Sequence, residues 1–236
     1  MKKLRQLLVK FLFRLVLIFV VLSLFIVVPF RWLNPPVTMV MADRWLSSSN
    51  DSFKLEQQWL NWNDMPKRSA LAVVASEDQL FPLHHGFDVD AIVSVLKSLG
   101  NGKQMRGAST ISQQVARNVY LWTGRSWIRK GLEAWFTLLI EVAWGKQRIL
   151  EVYLNIAEWG EGVFGLEAAS HHHFGKTASK LTPMQLALLA SSLPSPLKYD
   201  PAHPDQHLRE RAKWNLKQQR RLGGVQWLKQ SDKLTF

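Results

Sequence analysis

The sequence predicts a mainly α protein carried by one N-terminal membrane helix. Three observations carry that prediction: a long apolar run near the start, a succession of helix-period segments with recognisable caps after it, and the absence of a convincing alternating strand pattern. The 236 residues hold one ordinary domain besides the anchor, and 47% hydrophobic residues suffice for a core.

Phe11 to Phe30, "FLFRLVLIFVVLSLFIVVPF", contains a single charge, Arg14. As a helix rising about 1.5 Å per residue it spans roughly 30 Å, a bilayer core. Lys2, Lys3, Arg5, Lys10 and Arg14 stand at or before its start and only Arg31 follows at once, which keeps the N-terminus cytoplasmic. A cleaved leader is the rival reading, but "RWLNPPV" offers no small-x-small cleavage signal. The expected organisation is a basic tail over 1–10, an anchor over 11–31, a connector over 32–64 and a helical domain over 65–236. In the connector "NPP" and "SSSND" mark loops, and Trp45, Trp59 and Trp62 lie on lipid or in the core.

The domain then reads as consecutive helices. The first begins at Pro66 and finishes at Glu77 and Asp78. Ala91 to Leu99 places Ile92, Val95, Leu96 and Leu99 on one face and stops at Gly100. "STISQQVARNVYL" opens with Thr110 and Gln113 in capping-box spacing. A longer helix from Ser126 to Gly145 is expected to bury Ile128, Leu132, Trp135, Leu139 and Val142. Lys146 to Ile156 follows, then a glycine-punctuated segment from Gly160 to Gly165. "LTPMQLALLASSL" has Thr182 as cap, Pro183 at the first position and Gln185 closing the box. A basic helix ends at Gly223 and Gly224, its face solvated or laid on anionic lipid.

Net charge +12 directs the chain toward anionic partners. No motif for reading nucleic acid bases is present. Without cysteine there are no disulfides and no thiol chemistry. From Ala91 to Leu132 the chain carries Lys97, Lys103, Arg106, Arg117, Arg125, Arg129 and Lys130 and no acid. Within that strip "RGASTISQQ" brings a helix N-terminus suited to a phosphate, with Ser109 and Thr110 at its head and Gln113 and Arg117 on one face. A pyrophosphate fits this better than a single carboxylate.

Glu77 stands at the negative end of a helix dipole, with Phe81 close in sequence. That position raises a carboxyl toward the range where it accepts and returns protons, although a solvated helix end is the plainer account. Glu133, one turn from Arg129 and three residues from Lys130, is either an intrahelical ion-pair partner or a second functional carboxylate. "SHHHFGKT" falls one residue short of a phosphate-binding loop, with Ser170 where the first glycine belongs. His171, His172 and His173 point around a helix instead of converging on a metal. Two S-x-x-K matches, at Ser94 and Ser195, lack their companion motifs.

Four ordered blocks resemble a known family: "EDQLFPLHHG" from Glu77, "GASTISQQ" from Gly107, "RKGLE" from Arg129 and "KQRILEVYLN" from Lys146. The sequence is similar to the monofunctional biosynthetic peptidoglycan transglycosylases, relatives of the glycosyltransferase domain of bifunctional penicillin-binding proteins. "FGLEAASHHHFGK" and "LALLASSLPSPLKYDP" extend the likeness, so it runs from about Pro66 to Pro201 and to the anchor.

The resemblance implies a lysozyme-like helical domain with a smaller membrane-facing subdomain, and polymerisation of lipid II with release of polyprenyl pyrophosphate. It gives the base role to Glu77 and the second-carboxylate role to Glu133, and it sets Ser109, Thr110, Gln113, Arg117, Arg125, Arg129 and Lys130 around the substrate. Arg117 replaces a lysine common in the family and keeps the charge. His173 and Gln185 replace a tyrosine and a glutamate. No cofactor is required, and a divalent cation such as Mg is permitted. The expected partners are lipid II, the lipid-linked glycan strand, membrane lipids and other cell-wall synthesis proteins. A muramidase and a noncatalytic cell-wall scaffold are the alternatives.

Overall fold

The computed structural model describes residues 2–48, 53–91, 93, 109–124 and 126–231. Arg125 and most of the helix expected over Ala91 to Leu99 lie outside those residues. Among the described residues the helices are α1 (Lys2–Val27), α2 (Met39–Ser47), α3 (Lys67–Glu77), α4 (Ile111–Tyr120), α5 (Trp127–Trp144), α6 (Lys146–Ile156), α7 (Leu166–Phe174), α8 (Pro183–Ser192), α9 (Gln206–Arg221) and α10 (Val225–Ser231). A 3-10 turn, Val28–Arg31, prolongs α1. The expected caps are present. Thr110 and Thr182 each close a capping box, with Gln113 and Gln185, and Ser126 accepts from the Arg129 amide.

Strands are present where none was expected. β1 (Glu56–Gln57), β2 (Glu158–Gly160) and β3 (Val163–Phe164) form a sheet in the order β1-β3-β2, with β1 parallel and β2 antiparallel to β3. Elements of two or three residues are too short for an alternating pattern to register. β1 also corrects the connector. The connector's described residues are stitched into the domain: Asn155 accepts from the Leu60 amide at 2.7 Å and Glu151 from the Trp62 amide at 3.0 Å, while Met41 is fully buried. Trp59 and Trp62 pack on the core, whereas Trp45 is exposed.

The core runs from Val27 at the end of α1, through the apolar stretch of α3 and the buried faces of α4 and α6, to Leu228 on α10. Trp159, Tyr153, Phe81 and Phe164 are its largest fully buried side chains. α1 leaves its apolar surface largely uncovered, consistent with a membrane span, and its end is joined to α5. Phe19 meets Trp135 with ring centroids 5.6 Å apart, and Trp144 Nε1 donates to the Val27 carbonyl at 2.9 Å.

The expected face of α5 is corrected. Its buried residues are Glu133, Phe136, Thr137, Ile140 and Trp144, while Ile128 and Val142 are exposed. Leu132, Trp135 and Leu139 are only partly buried. A helix apolar on both sides, one toward the core and one toward the anchor, gives periodicity no basis for choosing between them.

Candidate active site

α3 ends in two carboxylates, and the fold gives them different surroundings. Asp78 is buried; both of its oxygens lie 2.9 Å from His84 Nε2, and Oδ2 also accepts from the Ile111 amide at 3.0 Å. The Gly86 amide donates to His84 Nδ1 at 3.1 Å, so the ring donates to Asp78 through Nε2. Asp78 therefore joins the end of α3 to the start of α4. Gly86 is needed for this: its φ is +89°, and a Cβ there would lie 2.8 Å from Thr137 Cγ2. Its carbonyl accepts from the Thr110 hydroxyl at 2.7 Å.

Glu77 faces a cleft of about 920 Å³ lined by Ser76, Glu77, Ser109, Gln114, Arg117, Leu193, Pro194, His207, Arg211 and Trp214. Gln114 Nε2 donates to Glu77 Oε2 at 3.0 Å, and the Tyr153 hydroxyl donates to Gln114 Oε1 at 3.1 Å. Burial pushes the Glu77 carboxyl above its ordinary value. The Gln114 hydrogen bond and the Arg211 and Arg117 charges pull it back, while the Asp78 charge adds to the rise. The arrangement suits a group that takes up and releases a proton beside cations that hold an anion.

The remaining expected site residues divide. Ser109 and Arg117 line this cleft. Thr110 and Gln113 are buried, and their side chains are engaged in the cap, with the Thr110 amide donating to Gln113 Oε1 at 3.0 Å. They fix the start of α4, as the capping-box spacing predicts, and are not among the residues lining the cleft. Glu133 is 2% exposed, with one oxygen 3.2 Å from Arg129 and the other bonded to Lys130. Those three residues form a cluster on the first turns of α5 and are not among the residues lining the cleft around Glu77.

The sequence reading missed Gln114, Tyr153 and the contribution of α9. One face of the basic helix packs on α8 and α3, and it turns His207, Arg211 and Trp214 into the cleft, while Arg209, Lys213 and Lys217 are exposed. The available signal was Asn215, a polar residue in the stripe Leu208, Ala212, Asn215 and one turn beyond Arg211. Its amide donates to the Ala72 carbonyl at 2.7 Å and to Ser76 Oγ at 2.8 Å, which seats α9 beside Glu77. The histidines of α7 have separate polar partners, although the His172 and His173 rings meet edge to face with centroids 4.8 Å apart: His171 contacts Glu167, His172 faces Glu56, and His173 meets the Trp159 carbonyl and Asp200. Among the described residues no group of His, Asp and Glu is placed to hold a metal ion.

A helical domain behind one apolar N-terminal helix, with a carboxylate set among guanidiniums in a cleft, defines the class. Residues 46–220 match the family described as Transglycosylase, and the chain belongs to that family, whose domain is lysozyme-like and helical. It is 52% identical over 219 residues to the biosynthetic peptidoglycan transglycosylase of Pseudomonas aeruginosa, covering 92% of this chain and 94% of that one. It is 49% identical over 221 residues to the protein of the same description from Chromohalobacter salexigens, covering 93% and 94%. With the one from Pseudomonas putida strain KT2440 it shares 48% identity over 227 residues, covering 95% and 96%.

Proposed function

We propose that this chain is a peptidoglycan glycosyltransferase that polymerises lipid II into glycan strands, with Glu77 as its base. The observation that carries the reading is Glu77 itself, a carboxyl raised by burial, held by Gln114 and flanked by Arg117 and Arg211 in one open cleft. Glu77 takes the proton from the 4-hydroxyl of the acceptor GlcNAc. That oxygen bonds to C1 of the donor MurNAc as the bond from C1 to the pyrophosphate oxygen breaks, inverting α to β. The electron pair leaves on the polyprenyl pyrophosphate, whose charge Arg117, Arg211 and Arg125 offset. Glu77 returns its proton to solvent before the next cycle. Glu133 holds Arg129 and Lys130 together on the first turns of α5, a second cationic cluster besides the one around Glu77.

A single carboxylate beside an amide, two serine hydroxyls, an imidazole and two guanidiniums is a poor donor set for a resident Mg ion, so no step runs through one. α1 spans the bacterial cytoplasmic membrane with the basic tail inside and the domain outside, where lipid-linked substrate and membrane lipids are its partners. Strand growth from labelled lipid II tests the reading. The full-length protein makes strands, and Glu77→Gln loses at least about a hundredfold in rate while keeping its fold. Near-normal turnover by the purified variant removes Glu77 from the base role. Release of fragments from finished peptidoglycan indicates a muramidase, and a protein inert in both assays is a scaffold.

A further inference from the structure

Glu77 is bonded to Gln114 through an amide that can present either of two ends. With Nε2–H toward Glu77, Gln114 stabilises the carboxylate; with Oε1 toward it, the same side chain would accept from the carboxylic acid and stabilise that form instead. We propose that Tyr153 is a positioning residue for the base: its hydroxyl fixes the Gln114 amide with Nε2–H facing Glu77 throughout the proton-transfer cycle. The inference rests on the reading of Glu77 as the base of glycosyl transfer.

Tyr153 is fully buried on α6, across from Gln114 on α4, and donates to Gln114 Oε1 at 3.1 Å. Among the described residues that oxygen is the acceptor its hydroxyl meets. Turning the amide over would leave a buried O–H without an acceptor, so the amide stays as it is even when Glu77 has just been protonated. Burial, and then the charge on Glu77, hold Tyr153 protonated far above working pH, so the donor is permanent. The protonated base is denied an amide oxygen and gives its proton up readily. Without the hydroxyl the amide is free to turn, the acid form gains a partner, and less of the base is ionised at a given pH.

The test is the pH profile of kcat/KM for strand formation by the full-length protein in phospholipid–detergent micelles, with labelled lipid II. Tyr153→Phe keeps the ring and removes the donor. Its rate ratio between roughly pH 8.5 and pH 6 rises at least about threefold over the wild-type ratio, because the acidic limb moves to higher pH. Gln114→Leu moves the same limb, and the double variant goes no further than Gln114→Leu alone, since both changes act through one amide. A Tyr153→Phe profile parallel to wild type, however low, leaves a merely structural tyrosine and overturns the inference, as do additive effects in the double variant. Should Tyr153→Phe fail to melt cooperatively, an unshifted Gln114→Leu limb overturns it instead. A wild-type protein that makes no strands brings down the proposed function and this inference with it. A wild-type protein that polymerises beside a parallel variant brings down the inference alone.

Discussion

Asp78 is held by His84 and the Ile111 amide, whereas Glu77 is met by the single amide of Gln114 and otherwise opens on the cleft. The first arrangement joins two helices and the second leaves a carboxyl in unfavourable surroundings, which has a thermodynamic consequence. A carboxyl whose folded pKa lies above its unfolded one binds more protons in the native state, so stability falls as pH rises from the unfolded value through the folded one. Below the unfolded value Glu77 is neutral in both states and costs nothing. Glu77→Gln removes the cost. The melting temperature of the variant should match wild type near about pH 4 and exceed it by a growing margin toward about pH 8. Calorimetry of both proteins across that range checks the sign. A variant less stable than wild type at the alkaline end would mean that burial does not govern Glu77.

At the level of elements, α9 is the part whose role the sequence did not disclose. Arg211 on it lowers the Glu77 pKa more than Arg117 does, although Arg117 belongs to the recognisable "GASTISQQVAR" segment. Arg211→Ala should therefore move the acidic limb of kcat/KM to higher pH by more than Arg117→Ala does, while lowering stability by about 1 kcal/mol or less. An unchanged limb would remove Arg211 from the surroundings of the base. The helices themselves were legible, because caps are local: Thr110, Ser126 and Thr182 reach backbone amides three residues on, and spacing alone exposes them. Glu77 and Arg117 were legible for a related reason, since each lies beside a helix end whose chemistry can be read in sequence. Gln114, Tyr153 and Arg211 were not. Their roles arise where α4, α6 and α9 meet around α3, and a charge interaction between residues 77 and 211 leaves no periodic trace in either segment. The inner face of α5 was obscured by the opposite problem, an apolar signal on two sides of one helix.

At the scale of the whole molecule, the anchor is mounted on the catalytic domain by a joint that centres on Arg148 of α6. Its Nε donates to the Phe30 carbonyl at 3.1 Å, and one terminal nitrogen reaches the Leu33 carbonyl at 2.7 Å and Asn34 Oδ1 at 3.0 Å. The other terminal nitrogen pairs with Glu151 at 2.9 Å, and Glu151 in turn accepts from the Trp62 amide. One planar fork thus fastens the chain emerging from the membrane to the segment leading into α3, beside the α1–α5 contact made by Phe19, Trp135 and Trp144. Such a joint fixes where the Glu77 cleft stands relative to the apolar helix α1. Arg148→Ala strips three oxygens of their donor and leaves Glu151 without its cation. It should lower stability by about 2–4 kcal/mol. Protease cleavage between about residues 30 and 38 of the full-length protein in micelles should be at least tenfold faster, because the segment then opens locally without unfolding the domain. Arg148→Lys keeps the charge without the fork and should fall between the two. If cleavage and melting of Arg148→Ala both match wild type, α1–α5 packing alone carries the joint.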